Sequence, residues 1–431
     1  MKRHNWAAAL LVLASYLLLQ TSFSSLIANP LLIFGILGLT AGSLLLSPIM
    51  TLTFGLVAML GTSSEFSWQY AGILWVASGS VGMVLYALAS GSVRRIDDRA
   101  PVGILTLIGL SVPAALFLRT VISDDPGSSV FYALALAGAV AIVLTRSHLL
   151  FIHALAVAGS TFILASALMG TSNLTGSRWE GVSGNPNGMT AGVLLVLPFV
   201  FTAMRRAKLR ASAISFAVVI LVALWLLVQS GSDQAIVGIG VIVLGYGVRL
   251  VLGRAPSMAA VVSATSFLLA VGILVVAAVA DSVDEDVRSL SGRVPLYLAS
   301  IGPIWENPLF GTGGVHFEVL GEGVRSSHST LLSIGVLAGI AVMAVATVFL
   351  AGVAYSSLKL FAVRGHDYAL VGLIIVVIQA VQSMGARPLF WAILIFLSTL
   401  PVRDLLDHSR SRATSAMLRV ERHSLVVEES K

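Results

Sequence analysis

The chain has 431 residues, of which 57% are hydrophobic and only 11% charged, with a net charge of +6. A soluble globular domain carries about a quarter charged residues, so this composition excludes that class and points to one integral membrane domain. There is no cysteine, which rules out disulfides and any Cys-based metal or redox chemistry.

Apolar runs near the ~20 residues needed to cross a bilayer recur along the chain. They lie at 6–27, 30–47, 49–62, 71–90, 102–120, 129–145, 149–169, 189–204, 212–229, 235–250, 258–280, 329–352, 368–384 and 388–401. Several are short, and 49–62 and 388–401 read as half-helices or tilted partners. The expected fold is therefore an all-α, polytopic helical bundle of about 12–14 spans occupying residues 1–402, followed by a polar tail at 403–431. Residues 1–27 resemble a signal peptide, with Lys2 and Arg3 before an apolar stretch. No small-x-small cleavage site follows, so the segment reads as an uncleaved first span.

The basic residues set the expected topology. With the N-terminus in the cytoplasm and strict alternation, the inner segments collect Arg94, Arg95, Arg99, Arg146, Arg205, Arg206, Lys208, Arg210, Arg249, Arg254, Lys359, Arg364 and the basic tail. Of the 26 basic residues, only Arg119, Arg178, Arg288, Arg293, Arg325 and Arg387 fall outside or at the outer edge. That bias is the positive-inside rule. Both termini are expected inside, and the net positive charge reflects topology rather than nucleic-acid binding.

Three polar segments then fall on the outer side. Gly170–Gly188 carries Arg178 and the run Asn185-Pro186-Asn187-Gly188, either a tight turn entering a helix or a set of amides facing a sugar. Ser230-Gly231-Ser232-Asp233 breaks two spans; Asp233 is either a plain loop carboxylate or a partner for an arginine of the long loop.

The third segment, Asp281–His328, holds the densest chemistry. Its acidic run (Asp281, Asp284, Glu285, Asp286) matches no calcium loop. Val294–Trp305 is apolar enough for a short helix along the interface, with Tyr297 and Trp305 as interfacial aromatics. Arg293 supplies a permanently charged planar fork suited to phosphate. His328, where the loop re-enters the membrane, suits a general base for a hydroxyl nucleophile. Arg325 and Arg387 are further candidate cations.

The succession Ser291-Gly292-Arg293, Asn307-Pro308-Leu309-Phe310-Gly311-x-Gly313 and Ser327-His328-Ser329-x-Leu331-Leu332, with Asn185-Pro186-Asn187 upstream, resembles the O-antigen ligase and polysaccharide polymerase superfamily over roughly 170–350. The resemblance implies a metal-independent, cofactor-free, inverting glycosyltransferase of a bacterial cytoplasmic membrane. Its donor would be a polyprenyl diphosphate-linked glycan, and its acceptor a hydroxyl of a lipid, a glycan or a wall polymer. Arg293 would bind diphosphate and His328 would be catalytic, with Arg178, Asn185, Asn187, Asp233, Arg325 and Arg387 as substrate-binding candidates. Two departures stand out. The family's Ser-x-Ser-Arg reads Ser230-Gly231-Ser232-Asp233 here, and Ser329 stands where Asn commonly follows the histidine. A transporter or flippase of lipid-linked saccharide is the alternative that the many spans allow.

Overall fold

The computed structural model describes residues 7–11, 14, 30–60, 67–89, 103–144, 148–168, 171–172, 178–252, 294–314, 316–319, 323–327, 329–381 and 387–400. Helices run α1 Pro30–Leu46, α2 Pro48–Ala58, α3 Ser67–Ala89, α4 Ile104–Ile122, α5 Pro126–Leu144, α6 His148–Leu168, α7 Pro186–Arg206, α8 Arg210–Gln229, α9 Asp233–Leu252, α10 Val294–Glu306, α11 Thr330–Leu358, α12 Leu370–Val381 and α13 Pro388–Leu400. Two antiparallel pairs, β1 Thr171–Ser172 with β2 Trp179–Gly181 and β3 His316–Val319 with β4 Gly323–Ser326, are the strands among the described residues. The expected all-α bundle thus carries two small hairpins on its loops. Among the described residues eight helices are long and apolar enough to cross a membrane, and α2 and α13 belong to the shorter apolar set.

Proline marks many of the starts: α1, α2, α5, α7 and α13 all begin on it. Its missing N–H costs nothing in a first turn, where that donor has no intrahelical partner anyway. Hydroxyls inside the apolar helices turn back on their own carbonyls, as Thr53 Oγ1 does to Ile49 O at 2.6 Å and Thr202 Oγ1 to Pro198 O at 2.8 Å. That is how a polar atom survives where no water reaches it.

The core gathers on α7 and α13. α7 packs against α6, α8, α9 and α12, and nearly every residue of α13 is buried. Short turns reverse the chain from α4 to α6 and from α7 to α9, and the β1–β2 hairpin brings the chain from the end of α6 to the start of α7, so α4 to α9 alternate up and down. Two opposed ends result. One carries the α4–α5 turn, the segment before α7, the α8–α9 turn, the loop ahead of α11 and Arg387. The other carries Arg205, Arg206, Lys208, Arg210, Arg249, Lys359 and Arg364. At that basic end Asp367 is almost wholly buried and accepts from Arg205 Nη1 at 2.6 Å, Arg249 Nη1 at 2.9 Å and Tyr246 Oη at 3.1 Å, tying α7 and α9 to the turn before α12.

The expected span at 329–352 is not one straight helix. Helical chain runs from Thr330 to Ala362, 33 residues. At 1.5 Å per residue that is about 50 Å, well beyond a ~30 Å hydrocarbon core. The helix breaks at Gly339, with φ 86° and ψ 175°. Beyond the break it runs antiparallel to α4, with Phe349 against Gly109 and Leu105 against Gly352.

Breaking a helix frees backbone groups, and the Asn307–Gly313 segment takes them up. Thr312 N donates to Val336 O at 2.7 Å, Gly313 N to Leu337 O at 3.1 Å, and Ile340 N to Pro308 O at 2.7 Å. From α4, Arg119 Nη2 holds Gly311 O at 3.1 Å and Ser123 Oγ holds Gly313 O at 2.8 Å. Two backbones therefore cross at contact. A Cβ on Gly311 would lie 2.5 Å from Ala338 N, and one on Gly339 would lie 2.6 Å from Leu309 O. Both residues also sit at positive φ, where only glycine is comfortable.

Gly311→Ala and Gly339→Ala should each cost roughly 1–3 kcal/mol from backbone conformation, before any clash is counted. Gly314, whose Cβ would meet nothing within 4 Å, is the control; Gly314→Ala should stay within about 0.5 kcal/mol of wild type. Thermal denaturation in detergent, read by size-exclusion chromatography, checks both. Equal melting temperatures for the three variants would show that the crossing is not tight.

Candidate functional site

The Asn185-Pro186-Asn187-Gly188 run is the start of α7. Asn185 is its N-cap, and its side-chain oxygen accepts from Asn187 N at 2.8 Å and Gly188 N at 3.3 Å, satisfying two donors that have no intrahelical partner. Ser183, buried just before it, directs its hydroxyl to Glu180 O and Asn185 O. Asn185 Oδ1 is thereby consumed in shaping the helix start.

Asn187 lies in the first turn and is tied sideways. Its Oδ1 accepts from Ser232 Oγ at 2.7 Å and from Arg178 Nη2 at 3.3 Å, while Arg178 Nε donates to Ser230 O at 2.8 Å. Three segments that are remote in sequence meet here: the turn at Arg178, the start of α7 and the Ser230–Asp233 break. The break turns on Gly231 at φ 54°, with Ser232 N donating to Ser230 Oγ. Asp233 opens α9, where a carboxylate favours the positive helix end. Of the two readings of Asp233, a pairing with an arginine of the long loop falls on side chains outside the described ones; among the described residues every ion pair involves Asp367.

Arg387 joins from a fourth segment. It directly precedes α13, and its Nη1 donates to Leu60 O at 3.2 Å, at the carbonyl end of α2. Cations suit that end of a helix. Its Nη2 lies 3.7 Å from where a Cβ of Gly188 would stand, so it reaches the same first turn of α7 that Arg178 braces. Burial draws the Arg387 guanidinium down from its ordinary value to about 10, which still leaves it a cation at neutral pH.

Of the eight site candidates, then, Arg178, Asn185, Asn187, Asp233 and Arg387 come together at the α7 start. Arg325 lies on β4, where its backbone pairs opposite Phe317 of β3. Arg293 and His328 lie outside the described residues. Around His328, Ser327 Oγ bonds Ser333 Oγ at 2.9 Å and donates to Ser329 O at 3.1 Å, and both serines are buried. Ahead of it, α10 forms as expected, with Trp305 exposed and Ile304 buried toward α11.

Arg119 and Asp367 carry structural weight that the chain order alone does not reveal. A signal for each exists: an arginine one turn from the end of an apolar span, and an aspartate just before one. Neither marks its partner. Among the described residues no three His, Asp or Glu side chains cluster as metal ligands would. No family model and no curated protein matches the chain.

Arg178→Ala removes the hydrogen bonds that join the Arg178 turn, the Ser230 carbonyl and Asn187. At about 1.5–3 kcal/mol for a hydrogen bond to a charged group, the melting temperature should fall clearly. Arg178→Lys should recover only part, since an ammonium cannot span both acceptors as the fork does. An unchanged melting temperature in Arg178→Ala would mean that the brace does not exist.

Proposed function

We propose that the chain is a membrane glycosyltransferase of the O-antigen ligase and polymerase type. It moves a glycan from a polyprenyl diphosphate onto a hydroxyl of a lipid, glycan or wall-polymer acceptor at the outer face of a bacterial cytoplasmic membrane. The observation that carries this reading is the meeting of two guanidiniums, Arg178 and Arg387, with the Asn187 amide at the start of α7, on the end of the bundle that also bears the 294–329 loop. Cations and amides at a membrane boundary suit a phosphorylated, sugar-bearing lipid headgroup.

The positive-inside rule gives the orientation. The opposite end holds Arg205, Arg206, Lys208, Arg210, Arg249, Lys359 and Arg364, so it faces the cytoplasm and both termini follow it. Lipid-linked glycans presented outside would then meet the α7 start and the loop together.

In the proposed reaction the acceptor oxygen attacks the anomeric carbon while the bond from that carbon to the diphosphate oxygen breaks. One displacement inverts the centre. The acceptor proton passes to His328, and the diphosphate leaves with its developing charge held by guanidinium, Arg293 among them. Diphosphate is already a good leaving group, so the protein's task is cationic stabilisation and a base. Substitution of the family arginine by Asp233 shifts that cationic duty to the arginines at the α7 start.

Purified protein given a polyprenyl diphosphate-linked glycan and an acceptor, with chelator present, should release polyprenyl diphosphate. His328→Ala should abolish the release. Arg293→Lys should slow it by roughly tenfold to a hundredfold, the equivalent of one charge-assisted contact. A reporter active only outside the cytoplasm should be active after Glu318 and silent after Arg206. Movement of lipid-linked sugar across liposomes without any transfer would replace this reading with a flippase.

A further inference from the structure

The end of the bundle away from the loop exposes charge that the proposed reaction does not use. Between α7 and α8 the chain reads Arg205-Arg206-Ala207-Lys208-Leu209-Arg210, and every cation in it is exposed. Arg205 is committed, since it shares the buried Asp367 carboxylate with Arg249. Arg206, Lys208 and Arg210 form no ion pair with a carboxylate among the described residues. Asp367 is the one carboxylate described at this end, and two guanidiniums already outweigh it.

The positive-inside rule accounts for cations at this end, but not for where Arg210 stands. It opens α8, whose first turn holds no acidic side chain and whose N-cap, Leu209, makes no side-chain capping bond. The N-terminal end of a helix is its positive end, so a cation there is disfavoured until an anion joins it. From Arg210 an exposed apolar stripe continues along the helix through Ile214, Val218, Leu221 and Trp225. Steps of three and four residues keep these side chains on one face. Only 22% of the α8 span is buried in the protein, and Val219, Ala223 and Leu226 are its buried side chains on the other side.

A phospholipid has the complementary layout: an anionic phosphate joined to acyl chains that run along the membrane normal. The 20 residues of α8 span about 30 Å, the thickness of a hydrocarbon core, so the chains of one leaflet cover its first half. We propose that the α7–α8 turn and the adjoining face of α8 bind one anionic phospholipid. Its phosphate sits on Arg206, Lys208 and Arg210, and its chains lie along Ile214, Val218 and Leu221. The lipid supplies the counter-charge at the start of α8. An inner leaflet rich in anionic lipid is the source. The site is at the opposite end of α7 from the loop and stands apart from the glycosyltransferase reading.

The test uses the full-length protein delipidated in a neutral detergent. Phosphatidylglycerol is the probe, phosphatidylcholine the uncharged-lipid control and glycerol 3-phosphate the chainless control. Native mass spectrometry counts retained lipid, and the melting temperature is followed in parallel. The wild type should retain one phosphatidylglycerol and melt higher with it. Arg206→Gln, Lys208→Gln and Arg210→Gln together should weaken retention by about tenfold or more. Ile214→Gln, which leaves the cations in place, should weaken it less. Lys359→Gln with Arg364→Gln, at the same end but off the stripe, should leave it nearly unchanged. Arg210→Gln alone should melt no lower than wild type without lipid, because it relieves the repulsion at the helix end, and should gain less from lipid. Wild-type retention in the folded triple variant overturns the site; should that variant not fold, wild-type retention in Arg210→Gln does so. Equal retention of phosphatidylcholine, displacement by glycerol 3-phosphate, or an equal loss in the Lys359 and Arg364 pair overturns it as well, the last by making the effect one of bulk charge.

Discussion

A helix that breaks where water is scarce must find partners for its freed amides inside the protein, and that requirement organises the loop end of this bundle. At Gly339 the Val336 and Leu337 carbonyls and the Ile340 amide lose their helical partners, and the Asn307–Gly313 segment supplies new ones at 2.7–3.1 Å. The exchange is reciprocal, since an extended loop at this depth has unsatisfied groups of its own. Because both chains approach backbone to backbone, the crossing has little room to slide. It fixes the end of α10 on one side and the first turns of α11 on the other, and Arg119 and Ser123 fasten it to α4. The residues that leave the loop at Ser327 and Ser329 are thereby held relative to the bundle.

Charge is handled differently at the two ends of α7. At its C-terminal end the buried carboxylate of Asp367 is shared by two guanidiniums and a phenol, so every group has a partner and the ends of α7 and α9 are locked. At its N-terminal end, 21 residues away, one guanidinium is absorbed into bracing and another is not. A closed cluster suits a joint, whereas an open one suits a ligand. α7 links them as a strut buried along most of its length.

Much of this architecture is legible in the chain because membrane helices obey a coarse rule. Length and apolarity alone place α3 to α9 within a few residues of their ends, and the arginine bias separates the two faces. The break in α11 is less legible. Gly335 and Gly339 both read as small residues in an apolar run, and only the loop pressed against Gly339 distinguishes it. In the same way the Asn-Pro-Asn-Gly run announces a turn and a helix start, which Asn185 provides, but the sequence does not say that Asn187 will be shared between Arg178 and Ser232. Those ties join residues 9 and 45 positions apart. Arg387 is legible as an outer-edge cation; that it meets Gly188 depends on how α13 and α7 pack.

The Asp233 departure also reads differently in three dimensions. Read as a linear motif, Ser230-Gly231-Ser232-Asp233 carries a carboxylate where the sequence it resembles has an arginine. In the fold, Asp233 opens α9 and is stabilised by that helix's positive end, so it has a structural reason to be there. Arg387, anchored by the carbonyl end of α2, brings a guanidinium to the neighbouring turn of α7 from a different wall. A binding site is defined by where its charges stand rather than by which segment provides them.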